Sequence, residues 1–268
     1  MSGFAARLYS DPRPPAVTPG ADWTRVFDFD WSTLATQLVG GDGAHTYGAY
    51  TFTKFNTANE AAATGITNGQ GLIYQPALAT DYNAANRTLA GMLLPFTQIT
   101  FPRALQWSDK LRIWIYVSAD NCAANYDSVV WGVDTGDTRW GMLAKRGFNI
   151  AGAGLTSFDE LNAANTGFND QATPLAPGNR VCVLEGSPSG QPRSLYAGAW
   201  PGGGWPAIET MTLLSSTLSK GGAAESFFPA GYTLANLAFV FGAQKSNSAT
   251  ALSATIQRLA VDWKSGGP

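Results

Sequence analysis

The stretch Asp109-Lys110-Leu111-Arg112-Ile113-Trp114-Ile115-Tyr116-Val117 constrains the fold more than any other part of the chain. In an extended backbone Leu111, Ile113, Ile115 and Val117 fall on one side, and Arg112, Trp114 and Tyr116 on the other. Strict alternation of β-branched and aromatic residues marks a strand with one apolar and one amphipathic face. A helix would scatter the four aliphatics around its circumference. The strand sits near the middle of 268 residues, enough for one large all-β domain or two small ones.

Comparable runs lie on both sides. Trp23–Trp31 reads as a first strand, with Phe27, Phe29 and Trp31 against Val26, Asp28 and Asp30. Tyr50, Phe52 and Phe55 indicate a short strand, and Gly71–Tyr74 another. Ser128–Val133, a turn at Asp134–Asp137 and Arg139–Lys145 form a hairpin; Arg180–Gly186 and Arg193–Trp200 form a second. Ile208–Leu214, Leu237–Gly242 and Ser253–Lys264 complete the set. Helical signals are brief. Ser32–Val39 reads as one or two turns capped by Ser32, with Leu34 and Leu38 inward. Thr57-x-x-Glu60 and Ser157-Phe158-Asp159-Glu160 read as capping boxes of two short helices.

About a dozen short strands with Gly/Pro turns predict an all-β antiparallel β-sandwich or barrel with a few short helices. No internal repeat or interdomain linker interrupts residues 23–268, which read as one domain. Residues 1–22 form a Pro-rich extended arm carrying Phe4, Leu8 and Tyr9 among Pro12, Pro14 and Pro15. Proline removes backbone donors and favours extension, so the arm supplies neither a helix nor a central strand.

Composition narrows the partners. Charged residues are 13% of the chain and net charge is −2, so the surface must be built from Asn, Thr, Ser, Gln and Gly. Basic residues are spread singly, which predicts no nucleic-acid partner. No apolar run nears the ~20 residues of a membrane span, so no membrane partner is expected. Met-Ser-Gly-Phe-Ala-Ala-Arg has no basic segment followed by an apolar core, so no signal peptide is expected. Cys122 and Cys182 match no zinc spacing, and His45 is the one histidine. Cys182 reads as a buried thiol in a strand and Cys122 as a loop residue; whether they pair is left open.

The order of features resembles the concanavalin A-like jelly roll, especially its laminin-G and lectin-type members. The resemblance rests on the opening Phe27-Asp28-Phe29-Asp30-Trp31, the strand Leu111–Val117 with two hairpins after it, and the closing runs Leu237–Ala243 and Ala254–Trp263. It spans roughly residues 23–264 and implies that the last strand returns to pair near the first. Domains of this kind serve as sugar binders, as enzymes and as parts of viral particles, so fold alone assigns no function.

Four readings follow. Hydrolases of the resembled fold carry Glu-x-Asp-x-Glu on one strand, which sets the separation of the two carboxylates. That pattern is absent, Asp28 and Asp30 read as surface or loop-bonding residues, and no serine triad is indicated, so no enzymatic role is expected. For sugar binding, Trp114 and Tyr116 on the polar side of the central strand, with Trp200 and Trp205 around a Gly-rich loop, are the candidates; the alternative is that they pack under a loop. Asp134 with Asp137, or Asp120 with Asn121, offers oxygens for calcium, but turn chemistry accounts for both, and neither metal nor cofactor is expected. Finally, the arm, the low charge and the missing signal resemble phage virion components of this fold: capsid decoration, spike or tail-fibre proteins.

The resulting expectation is a non-enzymatic virion structural protein, made in the host cytoplasm. It would assemble through Phe4, Leu8, Tyr9 and the prolines of the arm into a homo-oligomer such as a trimer, beside other virion proteins. The alternative is a glycan-binding lectin-like module or receptor-binding head that contacts surface glycans. A third reading is a polysaccharide-degrading enzyme.

Overall fold

The computed structural model describes residues 22–55, 60–76, 90–121, 128–134, 141–149, 152–161, 164–174, 179–188, 190–215, 233–244 and 252–266. The first strands are β1 (Thr24–Asp30), β2 (Gln37–Leu38), β3 (Gly43–Tyr47), β4 (Tyr50–Phe55), β5 (Glu60–Thr67) and β6 (Gly71–Pro76). Then come β7 (Ala90–Pro95), β8 (Lys110–Asp120), β9 (Ser128–Asp134), β10 (Gly141–Asn149), β11 (Gly152–Leu161) and β12 (Ala164–Pro174). The last are β13 (Arg180–Ser187), β14 (Gly190–Gly198), β15 (Thr212–Ser215), β16 (Ala238–Gln244) and β17 (Ala254–Lys264).

Two sheets result. The first runs β15-β14-β13-β8-β17-β6-β5-β2, with β1 also pairing β17; the second runs β12-β11-β10-β9-β16-β7-β4-β3. Every strand pair is antiparallel. The predicted all-β antiparallel sandwich is therefore the observed fold. β8 is central, paired with β13 on one side and β17 on the other.

The alternation in β8 sorts its residues as expected. Leu111, Ile113, Ile115 and Val117 are fully buried in the core between the sheets. Phe27 and Trp31 enter the same core from the start of the chain, beside Phe52, Phe239 and Phe241. Trp131 of β9 crosses between the layers and donates its Nε1–H to the Ile113 carbonyl at 3.2 Å. Cys182 lies on β13 in this core; Cys122 and the arm residues Phe4, Leu8, Tyr9, Pro12, Pro14 and Pro15 lie outside the described residues.

Three helical expectations are corrected. Glu60 opens strand β5 rather than a helix. Its carboxylate accepts from the buried Lys54 ammonium at 3.0 Å and from Thr64, so it is committed across the sandwich and not to a helix N-terminus. Ser157–Glu160 lies within β11, which pairs β10 on one side and β12 on the other. Both ladders satisfy backbone groups that a helix would have satisfied internally, and tertiary pairing overrides the local capping signal. At Ser32–Val39 only a 3-10 turn forms, over Trp31–Thr33, and its cap is Asp30 rather than Ser32. Leu38 then joins edge strand β2 and stands exposed. Ile208–Leu214 is a 3-10 turn (Ile208–Thr210) followed by β15 rather than one strand. His45, expected in a loop, lies on β3 and its Nε2 is 2.8 Å from the Gly41 carbonyl oxygen.

Candidate functional site

The outward residues of the first sheet form three transverse rows, because residues directly opposite in antiparallel strands share a face. Pairing sets Glu185 beside Arg112, Arg112 beside Asp262, and Asp262 beside Arg25. The next row is Val183, Trp114, Ala260 and Asp28; the third is Val181, Tyr116, Arg258 and Asp30. One face of four strands thus brings together charges from both ends of the sequence.

The segment after β14 folds back over these rows. Trp205 packs against Trp114 with ring centroids 5.5 Å apart, and Trp200 lies flat on Tyr116 at 4.3 Å with 9° between planes. Ile208 and Met211 close the cluster against Val181 and Val183. Gly198 leaves room for this: a Cβ there would come within 3.1 Å of the Met211 side chain. Gly202, with φ of 94°, turns the chain between the two tryptophans in a conformation that favours glycine.

Two carboxylates anchor the polar side. Asp262, with a side chain 1% exposed, accepts from Arg25 through both Nε and Nη2 and from Trp114 Nε1 at 2.7 Å. Asp28 is more open and accepts four bonds: Trp205 Nε1 at 3.1 Å, Arg258 Nε at 2.8 Å and Nη2 at 3.0 Å, and Arg25 Nη1 at 3.3 Å. Arg25 joins the two carboxylates, and its guanidinium also lies 5.4 Å from the Trp114 centroid and 5.5 Å from that of Trp205. Arg258 lies at 5.6 Å from Trp205 and 5.8 Å from Trp200. Such cation–π contacts reinforce ion pairs that water would otherwise screen. Burial raises the Tyr116 phenol above its ordinary value; a hydrogen bond with the Asn179 side chain lowers it, and the Asp30 charge adds to the rise.

Of the four aromatic candidates, Trp114, Tyr116 and Trp205 are 3%, 5% and 4% exposed. Their rings are occupied by one another and by the overlying segment, which is the packing alternative, and no sugar face can lie on them in this state. Trp200 keeps solvent access. Tyr116 covers one face of its indole, and Trp205 meets it nearly at right angles with centroids 5.5 Å apart. Sequence reasoning missed Arg25 and Arg258, whose positions on the face follow only from pairing of β1 and β8 with β17. Asp28 and Asp30 read as surface or loop-bonding residues; Asp28 is an exposed hub between two arginines, and Asp30 caps the turn through Ser32 N at 2.9 Å.

Asp134 is buried on β9, and Asp137 lies outside the described residues. Asn121 spends its side-chain oxygen on Ser253 N at 2.7 Å, tying the end of β8 to the start of β17.

No protein-family model matches the chain, and no curated protein matches it. Solved structures do resemble it. A glycoside hydrolase family protein from Mycobacterium thermorestibile is 13% identical, with 88% of this chain and 99% of that chain covered and a TM-score of 0.45. A lectin from Bauhinia forficata in complex with GalNAc is 8% identical, with 91% and 100% covered and a TM-score of 0.41. An endo-1,3-β-glucanase from Streptomyces sioyaensis is 13% identical, with 93% and 99% covered and a TM-score of 0.41. At these identities the likeness concerns the sandwich alone. It corrects the expectation that the chain is not an enzyme. Glycoside hydrolases and glucanases are among the structures that resemble it.

Proposed function

We propose that the outer face of the first sheet around Trp200 is a carbohydrate-recognition surface. One observation carries the reading: Tyr116 holds Trp200 flat, with the rings parallel at 4.3 Å, so an indole face is fixed before any ligand arrives. A pyranose has an apolar C–H face and a rim of hydroxyls. An aromatic platform edged by a guanidinium and carboxylates matches both, and fixing the platform in advance lowers the ordering cost of binding. The test is a glycan array followed by calorimetry on a hit, comparing the native chain with Trp200→Ala. Loss of the hit in the variant, with an unchanged melting temperature, supports the surface; an array with no hit, or a hit that survives the substitution, overturns it.

A second reading concerns assembly, in a virion or another particle, through residues 1–22. One observation favours a fixed root for that arm: Asp22 pairs with Lys264 at 2.9 Å, and Trp23 lies under the Arg112 guanidinium at 4.0 Å. The arm would depart from the same sheet face, with Phe4, Leu8 and Tyr9 as its apolar anchors on a neighbouring copy. Light scattering with and without residues 1–21 tests this. A drop from oligomer to monomer supports it, and an unchanged mass overturns it.

A further inference from the structure

The carbohydrate surface, if Trp200 is its platform, has Arg258 and Asp30 in the same row as Tyr116. Asp28 has four donors on its two oxygens, which matches in number the roughly four acceptor sites of a carboxylate. Three of these donors share Oδ2 and Arg258 Nε alone reaches Oδ1, so Asp28 is spent chiefly on holding Arg258 and Arg25 in place. Arg258 commits Nε and Nη2 to Asp28; its Nη1 makes no hydrogen bond among the described residues and keeps two N–H donors. On the far side of Arg258 in the same row stands Asp30. One Asp30 oxygen accepts from Ser32 N and Oγ, and the other accepts from no described residue. Tyr116 with Trp200 above it, Arg258 and Asp30 therefore follow one another across β8, β17 and β1, about 10 Å from first to last at the usual strand spacing of ~4.8 Å.

Charge decides which sugars suit this line. The rows hold Arg25, Arg112 and Arg258 against Asp28, Asp30, Asp262 and Glu185. Each arginine is already paired with a carboxylate, and Asp30 is the member in excess. A uronate or sulfate reaching Arg258 would meet the Asp30 carboxylate beside it. A hydroxyl meets no such penalty, since it accepts from Arg258 Nη1 and donates to Asp30.

We infer that the surface takes a neutral oligosaccharide, with one ring on Trp200 and hydroxyls of an adjoining residue between Arg258 Nη1 and Asp30, and that it discriminates against acidic glycans. The inference rests on the carbohydrate reading above and adds Asp30 as a specificity residue. The test uses neutral hexasaccharides, oligogalacturonate of the same length and the matching monosaccharides, titrated into the native chain, Trp200→Ala and Asp30→Asn. Asparagine is as good a helix cap as aspartate, so Asp30→Asn keeps the turn at Trp31–Thr33 and removes the charge; its melting temperature serves as the control. The expected result is neutral binding lost in Trp200→Ala, weakened roughly tenfold in Asp30→Asn, as fits a charge-assisted bond, and oligogalacturonate at least tenfold weaker than the neutral ligand on the native chain. Oligogalacturonate binding as tightly, monosaccharide binding as tightly as hexasaccharide, or Asp30→Asn leaving the neutral affinity unchanged would each overturn this inference while Trp200-dependent binding still stood. Binding to none of the probes would remove the carbohydrate reading with it.

Discussion

Arg25 and Asp262 stand 237 positions apart in sequence and are bonded side by side on the first sheet. The carboxylate is buried, so its loss is not a surface event. Asp262→Ala strands the Arg25 guanidinium and the Trp114 indole N–H, and breaking a buried pair from one side costs about 3 kcal/mol or more. Urea denaturation reads this as a lower midpoint with unchanged slope; a midpoint within the error of the native chain would refute the pairing.

Trp200 and Trp205 separate binding from stability. Trp205 is buried against Trp114 and donates to Asp28, so Trp205→Ala opens a cavity costing about 3 kcal/mol. For a domain of this size that corresponds to a fall in melting temperature of roughly 6 to 12 °C. Trp200→Ala removes a ring that is only partly buried and is expected to shift melting by no more than about 2 °C while glycan affinity falls by more than tenfold. Equal melting shifts in the two variants would contradict the assignment of their roles.

Asp109 gives the acid limb of the stability curve a defined origin. Burial alone would raise its carboxyl. Hydrogen bonds from Gln106 N, Trp263 Nε1, Arg103 and Gly266 N outweigh this and leave it below its ordinary value of 3.8. A carboxylate with a depressed folded-state value contributes stability that is present above 3.8 and lost as pH falls through the lower folded value. Asp109→Asn should be less stable at neutral pH and should show a shallower loss of stability below about pH 4. Parallel acid limbs in native and variant chains would show that other carboxylates set the slope.

Gly91 and Gly242 face one another where β7 meets β16. A Cβ at Gly242 would lie 2.3 Å from the Ala90 carbonyl oxygen, and one at Gly91 would lie 2.6 Å from that of Phe241. Backbone cannot give way as a side-chain tip can. Gly242→Ala should therefore destabilise by about 1 to 3 kcal/mol, measured by thermal melting, and a neutral outcome would mean that the two strands are farther apart than described.

Much of this architecture is legible in the sequence. Alternation at Leu111–Val117 fixes which residues of β8 enter the core, and the closing run Ala254–Trp263 pairs the opening strand as the jelly-roll resemblance implied. Local signals failed where distant partners claimed the same atoms. Glu60 reads as a helix cap until Lys54 takes its carboxylate. Ser157–Glu160 reads likewise until β10 and β12 flank it. The four aromatic candidates do gather in one cluster, but no sequence spacing tells that Trp205 is buried there while Trp200 is only partly so. That difference is set by the path of Pro201–Gly204 and by an acceptor, Asp28, lying 177 residues away.

β17 is the shared partner of β8, β6 and β1. A growing chain that stops before Ala254 has synthesised every other strand of the first sheet and still holds its two halves unjoined, with β1 unpaired and the outer carboxylate row lacking Asp262. Joining waits for contacts of very long sequence separation, which slow folding. The arrangement makes the sheet a check on its own synthesis. Fragments ending upstream of β17 lack the strand that joins β8 to β6 and β1, and only chains read through to Lys264 carry the whole face that bears Trp200.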